Sequence, residues 1–555
     1  MALVGGSSGW NDAGEKPGQH GVFLMVMNAG GRRYLFSTAD IVVQSKHGPM
    51  RFPGGITQDQ SFTEAVSVFD YSSEFTGDRS MSFSVSDRVF PLLAVRRIEL
   101  LQDVRVEVRW TVKGLPVPWE ETVLVLRGRP SGIKHDEPAG MFNFTVEDGW
   151  ADSDDPFKVM SATKERLPNI KEEDAGRPYP VVFGAGVRVA ALDIGIDPIS
   201  GGQMWLAAGD PFAMLQAGAV TYIGNGDDVD ATSLIASQGL DYDAEGNPFW
   251  KVVMATTGFE GFVTNIQGYP WENVPELMRR LCAFFTEHRD LVDLGMLEEV
   301  GLAYDAVACS MVINDDPEMN MIRFVQERIG CQLALYAVRH GPRYAFRVPK
   351  WDTPPAMVLS TRRDIVRKVA MAEETERADV VTAYSNEYGI SGKTGDQLGT
   401  VELDHENMGE CLAGYVLVGG RRSRKQRLAD ISDVHGATAS LRWQAETNSK
   451  IRVTVSYECS LRALRLTLLD NVRVEDLDEG WTHMPRFKVV GIGLSTGETV
   501  RVDLVSVGSV DEVYDVNRAD EELELSHHHP VVPGDWGDGL PGGTGDDGPH
   551  GIPDF

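Results

Sequence analysis

The chain has 555 residues, with 52 Lys and Arg against 82 Asp and Glu, a formal charge of −30, and 42% hydrophobic residues. That apolar content supports real cores and argues against wholesale disorder. The acidic balance argues against wrapping nucleic acid, whose phosphates need Lys and Arg, and the length points to about three to four domains. Five cysteines, Cys282, Cys309, Cys331, Cys411 and Cys459, are odd in number and far apart. They fit neither a disulfide framework nor a CxxC metal site. Residues 1–18 are rich in Gly and Ser and lack the basic and apolar regions of a signal peptide. No apolar run reaches about 18 residues, so the expectation is a chain made in a cytoplasm without a membrane-spanning helix.

The first ~150 residues read as all-β. Val104, Val106, Val108, Trp110 and Val112 alternate with Arg105, Glu107, Arg109 and Thr111. A period of two puts the apolar set on one face of a strand. Met81, Phe83 and Val85 alternate likewise, as do Phe142, Phe144 and Val146, and 22–27 and 122–126 are β-rich. Turn signals at Pro53-Gly54-Gly55 and Gly114-Leu115-Pro116 separate them, which predicts a β-sandwich or barrel. Residues 148–174 are acidic, contain Pro156 and Pro168, and read as a connection. β structure resumes at Tyr179 and continues to about Thr264. The first helix is predicted near residue 273, where Val274, Leu277, Met278, Leu281, Phe284 and Phe285 form one stripe behind an Asn273 N-cap and Pro275. A second is expected near Asp290. A third is expected from the Asp316 cap through Pro317 and Glu318, with Ile322, Val325 and Ile329 buried and Gly330 as its left-handed end. A hairpin follows, from Leu333, Leu335 and Ala337 through His340-Gly341-Pro342 to Tyr344, Phe346 and Val348. Beyond Pro354 the pattern predicts strands at 379–388, 451–457, 472–475 and 487–492 and a short helix at 437–445. The last ~45 residues are acidic and rich in Gly and Pro, with the expectation of poor order when free.

Each motif that suggests chemistry has a plainer reading. Ser391-Gly392-Lys393-Thr394 resembles the end of a P-loop, but Glu387 stands where the first Gly must be, so a turn is expected. Gly184-Ala185-Gly186 lacks its third glycine, since Val189 occupies that position, and reads as a tight turn. Asp241-Tyr242-Asp243-Ala244-Glu245-Gly246 opens like a calcium loop, yet Val252 replaces the bidentate Glu, and a hairpin turn is the better reading. His405-Glu406 lacks the second His of HExxH. His527, His528 and His529 have the chemistry to bind a transition metal, though in an acidic tail such binding is more often adventitious. Arg421-Arg422-Ser423-Arg424-Lys425-Gln426-Arg427 is basic without interleaved aromatics, and reads as a solvated loop or a contact to an acidic neighbouring subunit. No catalytic, cofactor or metal residue is assigned.

The order of elements resembles the tail hub (baseplate hub) proteins of tailed bacteriophages. A β-domain ending in a Phe-rich strand is followed by an acidic connection, a Tyr179-Pro180-Val181-Val182-Phe183-Gly184 segment, helices, the 316–329 helix and the 331–348 hairpin. The helix near Ala437, the strand at 451–457 and the segments 461–475 and 481–507 sit where hub proteins carry a second barrel and closing strands. The resemblance covers about residues 20–510 and rests on element order. The larger first domain and the acidic tail depart from it.

The resemblance implies a mainly β, multi-domain α+β chain. Its parts would be an N-terminal β-domain (1–150), a central β domain with helices and a helix–hairpin unit (151–352), a second barrel-type domain (353–510) and an acidic extension (511–555). It implies a non-enzymatic virion component at the tail tip, a homotrimeric ring that joins the tail tube or distal tail protein to the central spike or fibres, near the tape-measure protein. DNA would pass its channel without specific binding, and an acidic lumen would repel phosphate. Two alternatives are a cell-envelope hydrolase acting on peptidoglycan or polysaccharide, which needs two flanking carboxylates, and a tail-tip receptor-binding protein.

Overall fold

The computed structural model describes residues 19–514 except 30, 58–59, 67, 69–79, 89–103, 148–159, 185–186, 210–215, 225–226, 231, 259–260, 268–272, 285–292, 294–296, 314–323, 341–342 and 391–395. The protein is mainly β with a minor helical component, as its alternating runs predict.

The opening segment carries β1 (Gly21–Ala29), β2 (Arg32–Ser37), β3 (Ile41–Ser45), β4 (Gly48–Phe52), β5 (Ser61–Ala65), β6 (Ser80–Ser86), β7 (Arg105–Val112), β8 (Val123–Gly128), β9 (Pro130–Asp136) and β10 (Met141–Glu147). They form sheets ordered β2-β1-β7-β8 and β6-β10-β9, with β3–β4 a separate hairpin. The predicted alternations are realised. Val106, Val108, Trp110 and Val112 are buried, and Phe83 lies opposite Phe144 across β6 and β10. β1 is buried on both faces. Phe23, Met25 and Met27 face the main core, while Val22, Leu24 and Val26 pack with Val43, Phe52 and Trp119 in a small core at the β3–β4 hairpin.

The middle segment adds β11 (Val181–Phe183), β12 (Val187–Ala190), β13 (Leu192–Ile196), β14 (Gln203–Gly209), β15 (Gln216–Gly224), β16 (Asp227–Asp230), β17 (Ile235–Tyr242), β18 (Pro248–Met254) and β19 (Gly261–Gln267). Sheets ordered β12-β19-β15-β16 and β13-β14-β18-β17 result. The helix Val274–Phe284 starts as predicted, because the Glu276 N–H donates to Asn273 Oδ1 at 3.0 Å, and Val274, Leu277, Met278 and Leu281 are fully buried. Phe285, Asp290 and the 316–322 part of the third predicted helix lie outside the described residues. The helix Leu297–Tyr304 precedes β20 (Met311–Ile313), which pairs with β11.

The third helix does not end at Gly330. A π-helical turn, Gln326–Gly330, runs on into Cys331–Leu333; Gly330 is right-handed at φ −61°, and Ala334 takes the left-handed position at φ 54°. The wide turn lets the Leu335 N–H reach Gly330 O at 3.2 Å. The extra turn thereby buries both Leu333 and Leu335.

The hairpin β21 (Tyr336–His340) and β22 (Arg343–Arg347) then separates two cores. Leu335, Ala337, Phe346 and Val348 pack with the helices, while Ala334, Tyr336, Val338 and Ala345 pack into the main core. Successive strand residues point to opposite faces, so both sides of this short ribbon are covered.

The closing segment carries β23 (Met357–Ser360), β24 (Ile365–Glu374), β25 (Ala383–Ile390), β26 (Gln397–Leu403), β27 (Ser423–Leu428), β28 (Val453–Ser460), β29 (Asn471–Glu475), β30 (Arg486–Ser495) and β31 (Thr499–Ser506). One sheet runs β23-β29-β30-β31-β28-β24 and another β26-β25-β27. The predicted helix at 437–445 extends over Val434–Asn448, because Asp433 caps it by accepting from the Gly436 N–H at 2.9 Å. The helix Gly409–Val418 and strand β26 have no counterpart in the sequence reading.

The opening and closing segments are joined by a ladder. β5 pairs antiparallel with β30, from Ser61 opposite Ser495 to Ala65 opposite Gly491. The Val66 N–H donates to Val490 O at 2.8 Å, the Gly21 N–H to Gly497 O at 2.9 Å, and Trp110 Nε1 to Ser495 O at 2.9 Å. A Cβ on Gly21 would lie 1.9 Å from Ser495 O, so this approach requires glycine. The main core correspondingly runs from Phe23 to Val146 and from Ala334 to Val513.

Because one hairpin closes two cores, damage to either face is expected to register in both. Tyr336→Ala and Phe346→Ala should each cost about 3–5 kcal/mol and lower the same calorimetric transition. Two transitions shifted one by each variant would show the cores to be independent.

Candidate functional site

The sequence motifs resolve into structural roles or lie outside the described residues. Ser391, Gly392, Lys393, Thr394 and His527–His529 fall outside, as do Ala185 and Gly186. Gly184 takes φ +75°, and a Cβ there would meet Cys309 O at 2.4 Å, so it marks a tight approach of β11 to β20. Asp243 sits in the β17–β18 connection, and turn donors occupy its carboxylate. It accepts from the Glu245 N–H at 2.9 Å, the Asn247 N–H at 2.8 Å, Asn247 Nδ2, and Tyr179 OH at 3.0 Å. That is the hairpin-turn chemistry expected of an Asx residue. His405 stacks on Tyr415 with centroids 4.3 Å apart. Among the described residues no group of three or more His, Cys, Asp or Glu side chains converges as a metal set. Among the described residues Cys309, Cys411 and Cys459 carry free thiols. No helix among the described residues is long and apolar enough to cross a membrane.

The basic run is a strand, not a loop. β27 pairs parallel with β25 at the margin of its sheet, Ala383 opposite Ser423 through Tyr388 opposite Leu428. Alternation sends Gln426 and Leu428 inward and leaves Ser423, Lys425 and Arg427 exposed, with Arg421 and Arg422 exposed before them. Lys425 pairs with Glu387. The Arg422 guanidinium donates to Arg377 O. Gln426 Nε2 donates to Cys331 O at 3.0 Å, which ties the strand to the end of the π-helical turn.

Arg377 also lines a surface cleft. A cleft of about 820 Å³ is lined by residues 374–377, by Leu417 and Ile451, and by Val510, Asp511 and Tyr514 of the terminal helical turn. Leu417 belongs to the 409–418 helix, which buries only Cys411 and Gly414. Leu412 is 48% and Val416 72% exposed, so its outward surface is apolar. Leu417 of the same helix lines the cleft, so exposed apolar side chains and the cleft share one helix.

A buried charge cluster fixes the segment behind that surface. Arg452 is 1% and Lys488 0% exposed, and both lie against the Trp351 ring, at 3.9 Å and 5.1 Å from its centroid. Arg452 donates to Thr447 O at 3.0 Å and to Ser506 O and Val507 O at 2.6 Å. Lys488 Nζ donates to Lys350 O at 2.7 Å, Asn471 Oδ1 at 2.8 Å and Leu469 O at 3.2 Å. Beside them Arg347 reaches Asp470 Oδ1 at 2.9 Å, Leu468 O at 2.9 Å and Glu299 Oε2 at 3.2 Å. These contacts join the helical core to the closing sheet. Burial lowers Lys488 to about 7, with the Arg347 and Arg452 cations adding to it against Asp470 and Glu299. Burial lowers Arg452 to about 9. For Arg347 burial also disfavours the charge, but Asp470 and Glu299 outweigh it and hold the group above its ordinary value.

Neither a protein-family model nor a curated protein matches the chain. Solved structures do. The chain is similar to a tail protein from Neisseria meningitidis MC58, at 10% identity and a TM-score of 0.39, over 88% of this chain and 98% of that one. It is similar to a chain of the virion of a native gene transfer agent particle, at 13% identity and a TM-score of 0.44, over 65% of this chain and 92% of that one. It is also similar to the 43 kDa tail protein of prophage MuSo2 from Shewanella oneidensis, at 9% identity and a TM-score of 0.39, over 87% and 98%.

The Lys488 site makes stability depend on pH in a defined direction. With the folded value near 7 and the unfolded one near 10.4, the unfolded chain binds more protons between those limits, so this site's contribution rises with pH from about 7 upward. Lys488→Met should flatten that rise in urea midpoints between about pH 7 and 9.5. It should also cost about 2 kcal/mol or more through the three oxygens left without a donor. An unchanged slope would show that Lys488 stays charged.

Proposed function

We propose that the chain is a structural, non-enzymatic subunit of a bacteriophage tail, a hub at the tail tip. In this reading residues 1–150 supply an N-terminal β-domain, 151–352 a central β domain with helices and the helix–hairpin unit, 353–510 a second barrel-type domain, and 511–555 an acidic extension. Copies close into a ring, usually three, which joins the tail tube or distal tail protein to the central spike or fibres, meets the tape-measure protein and leaves a channel for DNA. Closed cyclic assembly is the ordinary outcome for such subunits.

The observation that carries the assembly role is the apolar 409–418 helix beside its cleft, with Leu412 and Val416 turned outward. A surface of this kind is stable in a virion when another chain covers it. The order of elements supports the hub in particular, since the hairpin β21–β22 follows a helical turn and precedes a multi-stranded closing sheet. Buried charges are spent on holding segments together: Arg347, Arg452 and Lys488 all donate to backbone oxygens.

The test is incorporation. Antibody labelling of purified particles should place the protein at one end of the tail, and Val416→Asp should leave the free subunit's stability within about 0.5 kcal/mol while sharply reducing complete tails. Absence from particles would overturn the role, as would clearing of cell-wall material by the purified chain in a zymogram, the outcome required of an envelope hydrolase.

A further inference from the structure

Tyr514, the last described residue, and Arg377 both line the cleft. Arg377 O accepts from the guanidinium of Arg422, which heads the exposed run Arg421, Arg422, Lys425 and Arg427. The chain continues beyond Tyr514 through residues 515–555, which hold ten Asp and Glu and one Arg. The first dense acidic group is Asp520, Glu521, Glu522 and Glu524. Six to ten residues of chain reach at most about 20–35 Å, ample to cross a cleft of this size.

We propose that this acidic segment, 520–524, docks in cis on the basic strand β27 of its own chain. The charges of the cleft give the direction. Glu374, Glu376 and Asp511 repel an acidic segment, and Arg377, whose carbonyl accepts from Arg422 of the run, is the cation among the lining residues. Of the exposed cations in the run, Lys425 is already paired with Glu387, and that pair leaves Arg421, Arg422 and Arg427 to dominate the local potential. An acidic strip laid along a marginal strand neutralises it, and a marginal strand is the part of a sheet most open to unwanted pairing. The run would thereby be kept from other polyanions until a neighbour displaces the segment. This inference stands apart from the hub reading and requires no virion.

Zero-length carbodiimide cross-linking of the full chain, read by mass spectrometry, tests it. Lys425 should join Asp520, Glu521, Glu522 or Glu524 within one chain, in a mixture of isotopically light and heavy protein. The Lys425–Glu387 product serves as the control that β27 is formed. Arg421→Lys, which adds an amine and keeps the charge, should raise the yield about twofold, and raising salt from about 0.05 to about 0.5 M should lower it severalfold. Asp520→Asn with Glu521→Gln, Glu522→Gln and Glu524→Gln should abolish it, and these changes touch no residue of the described body. Products formed solely between chains would assign the segment to a second copy and overturn the proposal. Products scattered over Lys134 and Lys164 as readily as Lys425 would overturn it too. So would a short DNA strand that binds the unaltered chain through the run as tightly as it binds the neutralised variant.

Discussion

The hairpin β21–β22 is a wall with a core on each side, and much of the architecture depends on that sharing. A strand alternates its side chains between two faces, so a ribbon with no solvent-facing side must be apolar or small at consecutive positions. Ala334 to Val338 meets this demand, with each of its five residues at most 2% exposed. The helices on one side and the sheets on the other are thereby held in register by the same few residues. Arg347, the last residue of the hairpin, closes the arrangement through Glu299 of the helical side and Asp470 of the sheet side.

Behind the wall, two basic side chains are buried. Arg452 and Lys488 flank Trp351 and donate mainly to main-chain oxygens of connecting segments. A buried cation without donors spent in this way would be costly, and removal of one partner would leave an uncompensated group. The connection between the hairpin and the closing sheet is therefore held by hydrogen bonds from a side chain on a strand distant in sequence. This links local sequence at 350–353 to residues more than a hundred positions later, since Lys488 and Lys350 are 138 apart.

Elements whose physics is local were legible in the sequence. The strands β6, β7 and β10 show their alternation openly, and Asn273 and Asp433 sit where an N-cap must be. The 409–418 helix was not legible, because Gly409, Gly414 and the following Gly419 and Gly420 break the usual helix signal and no polar stripe marks a solvent face. The basic run carries no apolar strand signal, since its alternation is among charged residues, and inward Gln426 is held by a distant carbonyl at Cys331. Gly330 looked like a helix end, and the π-helical turn moved that end to Ala334. The ladder between β5 and β30 carries no local signal at all: nothing in Ser61–Ala65 names a partner.

That ladder has a consequence for biosynthesis. The Trp110 indole and its acceptor Ser495 are 385 residues apart in the chain. At about 5–20 residues per second, the ribosome needs about 20–80 s between making the two. Through that interval β5 exists without its partner β30, and β1 and β7 without the strands that complete the main core. Non-local pairing of this kind is slow and leaves edges exposed to aggregation while it waits. The first third of the chain therefore completes its core only after the last strands have left the ribosome.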